Sequence, residues 1–457
     1  MKYPNLSLIF LAVASVFLFG CGGDSGTVES PDAIQHLRGM KEMADDGTSP
    51  SVDPNAVVAG AKATGISGTF TPADLYAHYS IPGTTGVPIN GSTAGNGGAG
   101  TTIAIVDAPG SSTITADLKA FNTRFGLPQL TSCTSTSTAL GAACAASTTP
   151  YFTIIDQSGG KTNAGWAGEI ALDVEWAHAF APKANILLVI AKSSSIADMV
   201  SAAALAAQQA NVVAVSMSFG AIEFASETFY DTTFKNAIAN QGVVFLASTG
   251  DAGDWGSNKS YPAASTYVTA VGGTAIKTTG ETAWSLGGGG PAIYQKMPSY
   301  QSTYQTTAGI QLAGKLSTNV ATTGPVIGAL RAMPDVSFNA DPTNSPVLVV
   351  NGGKLQAVGG TSESAPLWAG VVAQLASQTG VTAFKSRIKS AAGGYGFNSL
   401  LYSPAKVAAS FSDVTVGTNF TTGGSSACLI FCTAAVGYDD VTGLGVPIVS
   451  TFLSAYR

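Results

Sequence analysis

Five short apolar, β-rich runs constrain this chain more than any other feature: "TTIAIVDA" (101–108), "NILLVIA" (185–191), "NVVAVSMSF" (211–219), "GVVFLAST" (242–249) and "YVTAVGG" (267–273). Their apolar residues are continuous rather than alternating, so each needs cover on both faces. Helical stretches fall between several of them, notably "GEIALDVEWAHAF" (168–180) and "IADMVSAAALAAQQA" (196–210). Strands buried on both faces and alternating with helices build a parallel sheet. The expected fold class is α/β, a doubly wound, mostly parallel sheet with helices on both faces. Sheets of this kind place their sites beyond the carboxyl ends of the strands. No internal repeat is visible.

The N-terminus is built differently. "MKYPNLSLIFLAVASVFLFGC" sets Lys2 before an apolar run from Leu6 to Phe19, then Gly20 and Cys21. That is the layout of a cleaved signal peptide, residues 1–20. Its ending "LFGC" resembles a bacterial lipobox, with Cys21 as the lipidated first residue of the mature chain. Residues 21–68 read as a polar, Gly/Pro-punctuated linker with one charged helical candidate, "DAIQHLRGMKEMA". The remaining 69–457 read as one domain. No internal apolar run reaches the ~18 residues needed to span a bilayer. With 21 Lys+Arg against 27 Asp+Glu, the chain lacks the basic surface that nucleic acid requires. The expectation is an extracytoplasmic monomer of the cell envelope, attached to the membrane through Cys21.

Four cysteines remain after Cys21. Proximity favours the pairs 133–144 and 428–432, although three connectivities are open. Disulfides suit an exported chain. The zinc alternative lacks a histidine near either pair.

"GGTSESAP" (359–366) sets Ser362 on a Gly-Gly-Thr turn just before an apolar helical run. Such a turn exposes a hydroxyl near backbone N–H groups and suits a nucleophile. A serine needs a base, and the usual one is histidine. The chain has only His36, His78 and His178, none in a catalytic context. Glu169 and Asp173 stand four residues apart on one helical face, amid Ile170, Ala171, Leu172 and Val174. Apolar surroundings raise carboxyl pKa values, so this pair is the candidate proton acceptor. Asp251, in "GVVFLASTGDAG", ends a buried strand on a Gly-flanked turn, where a protonated carboxyl could stabilise an oxyanion. Asp107, in "TIAIVDAPG", reads as a strand-end aspartate holding a loop.

The ordered set "GEIALDVE", "VSMSFG", "STGDAG", "YPAASTYVTAVGGT", "MPDVSFNADP" and "GGTSESAPLWAG" resembles the sedolisins, the serine-carboxyl peptidases. That resemblance implies a subtilisin-like fold in which glutamate replaces the catalytic histidine. It makes Ser362 the nucleophile, Glu169 its base, Asp173 the residue orienting that base, and Asp251 part of the oxyanion hole. It also implies a Ca2+ site in "FSDVTVGTN" and "AVGYDDVTGLG", with Asp413 and Asp439 as carboxylate ligands and carbonyls from Val414, Ala435 and Gly437. Oxygen donors of that kind suit calcium. The "WSLGGGG" segment (284–290) would flank the substrate cleft.

Two departures from the family pattern stand out. Phe219 occupies a position that is often tryptophan. Fewer than fifty residues separate Cys21 from the body, where relatives commonly carry a long prosegment, so restraint of activity is either absent or supplied by another protein. The expected activity is acid-active endopeptidase cleavage of peptide or protein substrates. An exopeptidase of the same family and a non-catalytic peptide-binding lipoprotein are the alternatives.

Overall fold

The structure, a computed structural model, describes residues 31–32, 34–35, 38–42, 68–82, 97–254, 260–308, 330–420 and 432–457. The leader, Cys21 and most of 21–68 lie outside them. Two short strands come first, β1 (Ile34–Gln35) and β2 (Arg38–Glu42). The body opens with β3 (Thr102–Asp107), β4 (Thr131–Ser132), β5 (Tyr151–Asp156) and β6 (Asn185–Ile190). β7 (Val212–Met217), β8 (Phe219–Ile222), β9 (Val244–Ser248) and β10 (Ser260–Tyr261) follow. After β11 (Thr269–Lys277) and β12 (Gly280–Ala283) come β13 (Gly290–Lys296) and β14 (Leu330–Met333). The last before the Ser362 helix are β15 (Val336–Asn339), β16 (Val347–Asn351) and β17 (Lys354–Gly359).

The central sheet runs in the order β12-β11-β9-β7-β3-β6-β5-β4, with β15 also paired to β11. Every pairing in it is parallel except the edge hairpin β11–β12. The apolar runs of the sequence are thus strands of one parallel sheet. β3 and β7 are buried along their whole length. Helix Thr361–Thr379 packs on β7, β9, β11 and β15, and against helix Ala164–Phe180. Helices Ile196–Ala207 and Thr228–Gln241 form a second pair, the first of them packed on β3, β6 and β7. With both faces covered, the doubly wound expectation holds.

Helix Ala164–Phe180 is buried on nearly every side, unlike an ordinary surface helix with one apolar stripe. Asn163 starts it, its side chain accepting from the N–H groups of Gly165 at 2.9 Å and Trp166 at 3.2 Å. Its far end meets Gly370 of the Ser362 helix. A Cβ on Gly370 would lie 2.4 Å from Cβ of Phe180, so glycine there sets how closely the two helices approach. No described helix is long and apolar enough to cross a membrane.

The described residues of "DAIQHLRGMKEMA", expected as a helix, include two strands instead, Ile34–Gln35 and Arg38–Glu42. β1 pairs antiparallel with β8, and β2 with β17. Local helix preference is worth only tenths of a kcal/mol per residue, and two available strand edges outweigh it. Cys133 and Cys144 form a disulfide, as proximity suggested. Cys432 is also disulfide-bonded, and Cys428 lies outside the described residues.

Candidate active site

Ser362 is the second residue of its helix, delivered directly by β17 through Gly360. Gly360 has φ 125°, a region that side chains make strained. Its N–H donates to the Ala340 carbonyl at 2.6 Å, which fixes the turn. Pro366 lies inside the helix. Having no N–H, it cannot bond the carbonyl four residues back, which is that of Ser362. The Ser218 hydroxyl takes up that carbonyl at 3.2 Å and also lies 2.8 Å from Asp173 Oδ1. One hydroxyl proton cannot serve both acceptors fully, so Ser218 links the protonation of Asp173 to the nucleophile's own backbone.

Glu169 and Asp173 project from the same face of helix Ala164–Phe180 and are fully buried. Neither oxygen of Glu169 has a hydrogen-bond partner. Burial, then the neighbouring carboxyls of Asp173 and Asp107, hold Glu169 well above the usual carboxylate range. The Ser362 hydroxyl pulls the other way, and Asp251 adds a smaller upward push. In this resting geometry Ser362 Oγ donates to the Ser218 carbonyl at 3.4 Å, a long bond that leaves the hydroxyl available to turn to Glu169. Asp173 is raised by burial and by Asp107, and lowered by its bond from Ser218.

Asp107 is not a loop-holding residue. It ends β3 fully buried, neither oxygen makes a hydrogen bond, and burial pushes its carboxyl up to about 8. Its charge acts on Glu169 and Asp173, so the site holds three coupled carboxyls rather than two. Three such groups in apolar surroundings cannot all ionise together; they share protons.

Asp251 sits beyond the carboxyl end of β9. Its Oδ1 accepts from both the N–H and the Oγ1 of Thr361 at 2.8 Å, and Thr361 Oγ1 accepts from the Gly250 N–H at 3.0 Å. These bonds tie the Asp251 turn to the residue before the nucleophile. Because Oδ1 is an acceptor, a proton on this carboxyl belongs on Oδ2. The "WSLGGGG" segment abuts the same turn, Gly288 N–H donating to the Gly250 carbonyl at 2.7 Å. The four candidate residues therefore converge, from β9 and the two helices.

No described histidine competes for the base role. His178 bonds the Pro128 carbonyl at 2.9 Å, and burial lowers it to about 4, so it is neutral. His78 pairs with Glu281 at 2.9 Å. His36 lies outside the described residues.

In the C-terminal region, Asp413 follows β18 (Phe411–Ser412), which pairs with β19 (Val446–Pro447). Asp413 Oδ2 accepts from the Gly437 N–H at 2.7 Å, and Asp439 Oδ2 from the Ala435 N–H at 2.9 Å. Asp439 Oδ1 accepts from the N–H groups of Val441 and Thr442 at 2.9 and 2.8 Å. Thr442 Oγ1 reaches the Val414 carbonyl at 3.4 Å. The five expected ligand residues thus belong to one knot of loops. Burial raises Asp439 to about 6 despite those N–H bonds, and raises Asp413 as well. Among the described residues no three His, Cys, Asp or Glu side chains cluster as metal ligands, so a cation here would depend on two carboxylates and on carbonyls.

Residues 98–393 match the Subtilase family. Kumamolisin of Bacillus sp. (strain MN-32) is 32% identical over 312 residues, 63% of this chain and 50% of that protein. Sedolisin of Pseudomonas sp. (strain 101) is 34% identical over 174 residues, 32% of this chain and 26% of that one. The chain thus spans half or less of the length of these relatives. The solved structure of Pseudomonas sedolisin complexed with two molecules of pseudo-iodotyrostatin shares the fold, with TM-score 0.60 and 24% identity over 85% of this chain and 98% of that one. The parallel central sheet agrees with that shared fold. The chain belongs to the Subtilase family, and its relatives place it with the sedolisins, the serine-carboxyl peptidases.

Proposed function

We propose that the chain is an exported, acid-active serine-carboxyl endopeptidase that works through an acyl-enzyme on Ser362. One observation carries this reading: Glu169, fully buried and with neither oxygen hydrogen-bonded, lies beside the hydroxyl of a serine on a glycine turn. A buried carboxyl left unsatisfied is costly, and a proton-transfer role accounts for it. Ser362 Oγ adds to the substrate carbonyl carbon while Glu169 takes its proton. Asp173 orients Glu169 and shares the charge with Asp107. A proton on Asp251 Oδ2 hydrogen-bonds the developing oxyanion. Glu169 then protonates the leaving amine, and water hydrolyses the ester by the reverse roles.

The active form needs one charge on the Glu169–Asp173–Asp107 set and a proton on Asp251. The acid limb of activity would then follow loss of the first proton from the coupled carboxyls, and the alkaline limb loss of the proton from Asp251.

The Cys133–Cys144 disulfide supports an oxidising, extracytoplasmic location, and a lipid on Cys21 would hold the protein at the membrane. Calcium is proposed for the loop knot, held by Asp413 and Asp439 with the carbonyls of Val414, Ala435 and Gly437. Digestion of unfolded protein from pH 3 to 8, with sequencing of the fragments, tests the activity. Internal cuts that peak at acid pH and vanish in Ser362→Ala are expected. No cleavage at any pH would leave a peptide-binding protein instead.

A further inference from the structure

A second group of buried carboxyls lies outside the catalytic set, where β8 runs into helix Thr228–Gln241. Glu223 directly follows β8, Glu227 directly precedes the helix, and both are buried. A side-chain hydrogen bond joins them. An ionised carboxylate has no donor, so two carboxyls bond each other only when one of them carries a proton. Burial, then the charge of Glu223, pushes Glu227 up to about 9, which makes it the proton carrier. Asp231, one turn into the helix, accepts from the Tyr261 hydroxyl of β10 at 3.1 Å. Burial raises both of those groups; Arg331 of β14 opposes the rise at Asp231, and Tyr230 adds to that at Tyr261.

The two glutamates hold one strand. The Ile293 N–H donates to Glu223 Oε2 at 2.9 Å, and the Tyr294 N–H to its Oε1 at 3.4 Å. The Gln295 amide donates to Glu227 Oε1 at 2.9 Å. Three successive residues of β13 are therefore bound by one carboxyl pair. Among the described residues β13 pairs only with β14, so no central-sheet strand fixes its place. Upstream, β13 continues the Gly-rich segment whose Gly288 bonds the Gly250 carbonyl in the Asp251 turn. A Cβ on Gly288 would lie 2.1 Å from the Thr249 carbonyl oxygen, so that segment rests directly on the turn. β8, for its part, leaves from Ser218, whose carbonyl accepts from Ser362 Oγ. Two stretches of chain thus depart from the nucleophile's neighbours, one from Asp251 and one from Ser218. The carboxyl pair ties them together at their outer ends.

We infer that Glu223 and Glu227 are positioning residues of the peptidase site: sharing one proton, they fix the spacing of β13 from β8 and so shape the cleft that receives the peptide. This role rests on the peptidase reading above. Glu169, Asp173 and Asp251 are placed by other elements, so loss of the clamp acts on substrate binding and leaves the chemistry intact. A folded pKa above the usual glutamate value means that the proton is held through the acid and neutral range. It leaves as pH passes about 9, and two adjacent charges then push the clamp open. Glutamine at 227 keeps a donor and an acceptor and does not ionise. Leucine there fills similar space and offers neither.

The test uses the full chain unaltered, as Glu227→Leu and as Glu227→Gln, with folding checked by circular dichroism. Each form is also made with Ser362→Ala. One peptide at pH 4 gives kcat and KM, and calorimetry on the Ser362→Ala forms gives Kd for the same uncut peptide from pH 5 to 10. Glu227→Leu should raise KM and Kd by about tenfold or more, with kcat within about threefold of the unaltered value. Glu227→Gln should bring KM and Kd back to within about threefold. Kd of the glutamate form relative to the glutamine form should climb by about fivefold or more between pH 8 and 10. Gln295→Leu removes the amide contact and leaves both carboxyls; it should raise KM and Kd by a smaller factor, and it stands in if Glu227→Leu does not fold. A folded leucine variant with unchanged KM and Kd, or with its loss confined to kcat, overturns the inference. So does a glutamine variant as weak as leucine, or a Kd ratio that stays flat to pH 10. If the unaltered chain cuts nothing while the Ser362→Ala forms bind with the expected ratios, the peptidase reading fails and the clamp remains a positioning device for peptide binding. Neither cleavage nor binding removes both.

Discussion

Replacing Asp107 by asparagine should change how stability depends on pH far more than it changes stability in acid. Asp107 is fully buried, neither oxygen is hydrogen-bonded, and its carboxyl is pushed up to about 8 by burial. In the unfolded chain an aspartate titrates near ~3.9. A folded pKa above the unfolded one contributes stability that is fully present below ~3.9 and is lost as pH rises, the loss ending near 8. At about 1.4 kcal/mol per unit, the interval from pH 4 to pH 7 removes up to about 4 kcal/mol through this one group. Asparagine keeps the shape and does not ionise, so its variant should lack that slope. The measurement is guanidinium unfolding at pH 4, 5.5 and 7, with Ser362→Ala in both proteins to stop autolysis. At pH 4 the two should agree within about 1 kcal/mol, and at pH 7 the asparagine form should be the more stable by up to about 4 kcal/mol. Parallel curves across that range would show that Asp107 is ionised in the fold and not a proton-holding member of the carboxyl set.

Ser218→Ala should lower kcat by roughly 10- to 100-fold with KM nearly unchanged, since a hydrogen bond to a charged group is worth about 1.5–3 kcal/mol; an unchanged kcat would remove Ser218 from the chemistry. Asp251→Asn can keep both bonds from Thr361 through its side-chain oxygen and donates from its amide at any pH. Its kcat/KM profile should therefore peak lower but extend further into alkali, whereas an unmoved alkaline limb would mean another group sets it. Removing calcium with a chelator should lower Tm in the unaltered protein. Asp439→Asn should abolish that difference, and equal Tm with and without chelator would leave the loop knot metal-free.

The sheet was legible because its strands are continuous apolar runs, a pattern with few other uses. Ser362 and Glu169 were legible because each sits in a local setting, a Gly-Gly-Thr turn and an apolar helix, that bears on its chemistry. Asp107 carried no such signal. A strand-end aspartate looks the same whether it holds a loop or faces other carboxyls, and only packing brings it to Glu169 and Asp173. Ser218 was hidden within "NVVAVSMSF", where a serine reads as a tolerated small residue; its role depends on Pro366, some 150 positions away in sequence. The segment "RGMKE" has helix-forming composition, yet its partner strand lies more than 300 residues downstream, so no local pattern announces β2. Short-range disulfide pairing succeeded at Cys133–Cys144 because an eleven-residue separation permits it without help from the fold.

The claim that a carboxylate does the work of histidine is tested most directly by kcat/KM of Glu169→Gln on one peptide across the acid range, with folding checked by circular dichroism. Glutamine fills the same buried space but cannot accept the Ser362 proton, and general-base catalysis contributes roughly 10²–10⁴-fold. A folded variant with its rate reduced by at least that range, at every pH, is the predicted result. A folded variant keeping more than about a tenth of the rate would contradict it, because the proton of Ser362 would then have another acceptor.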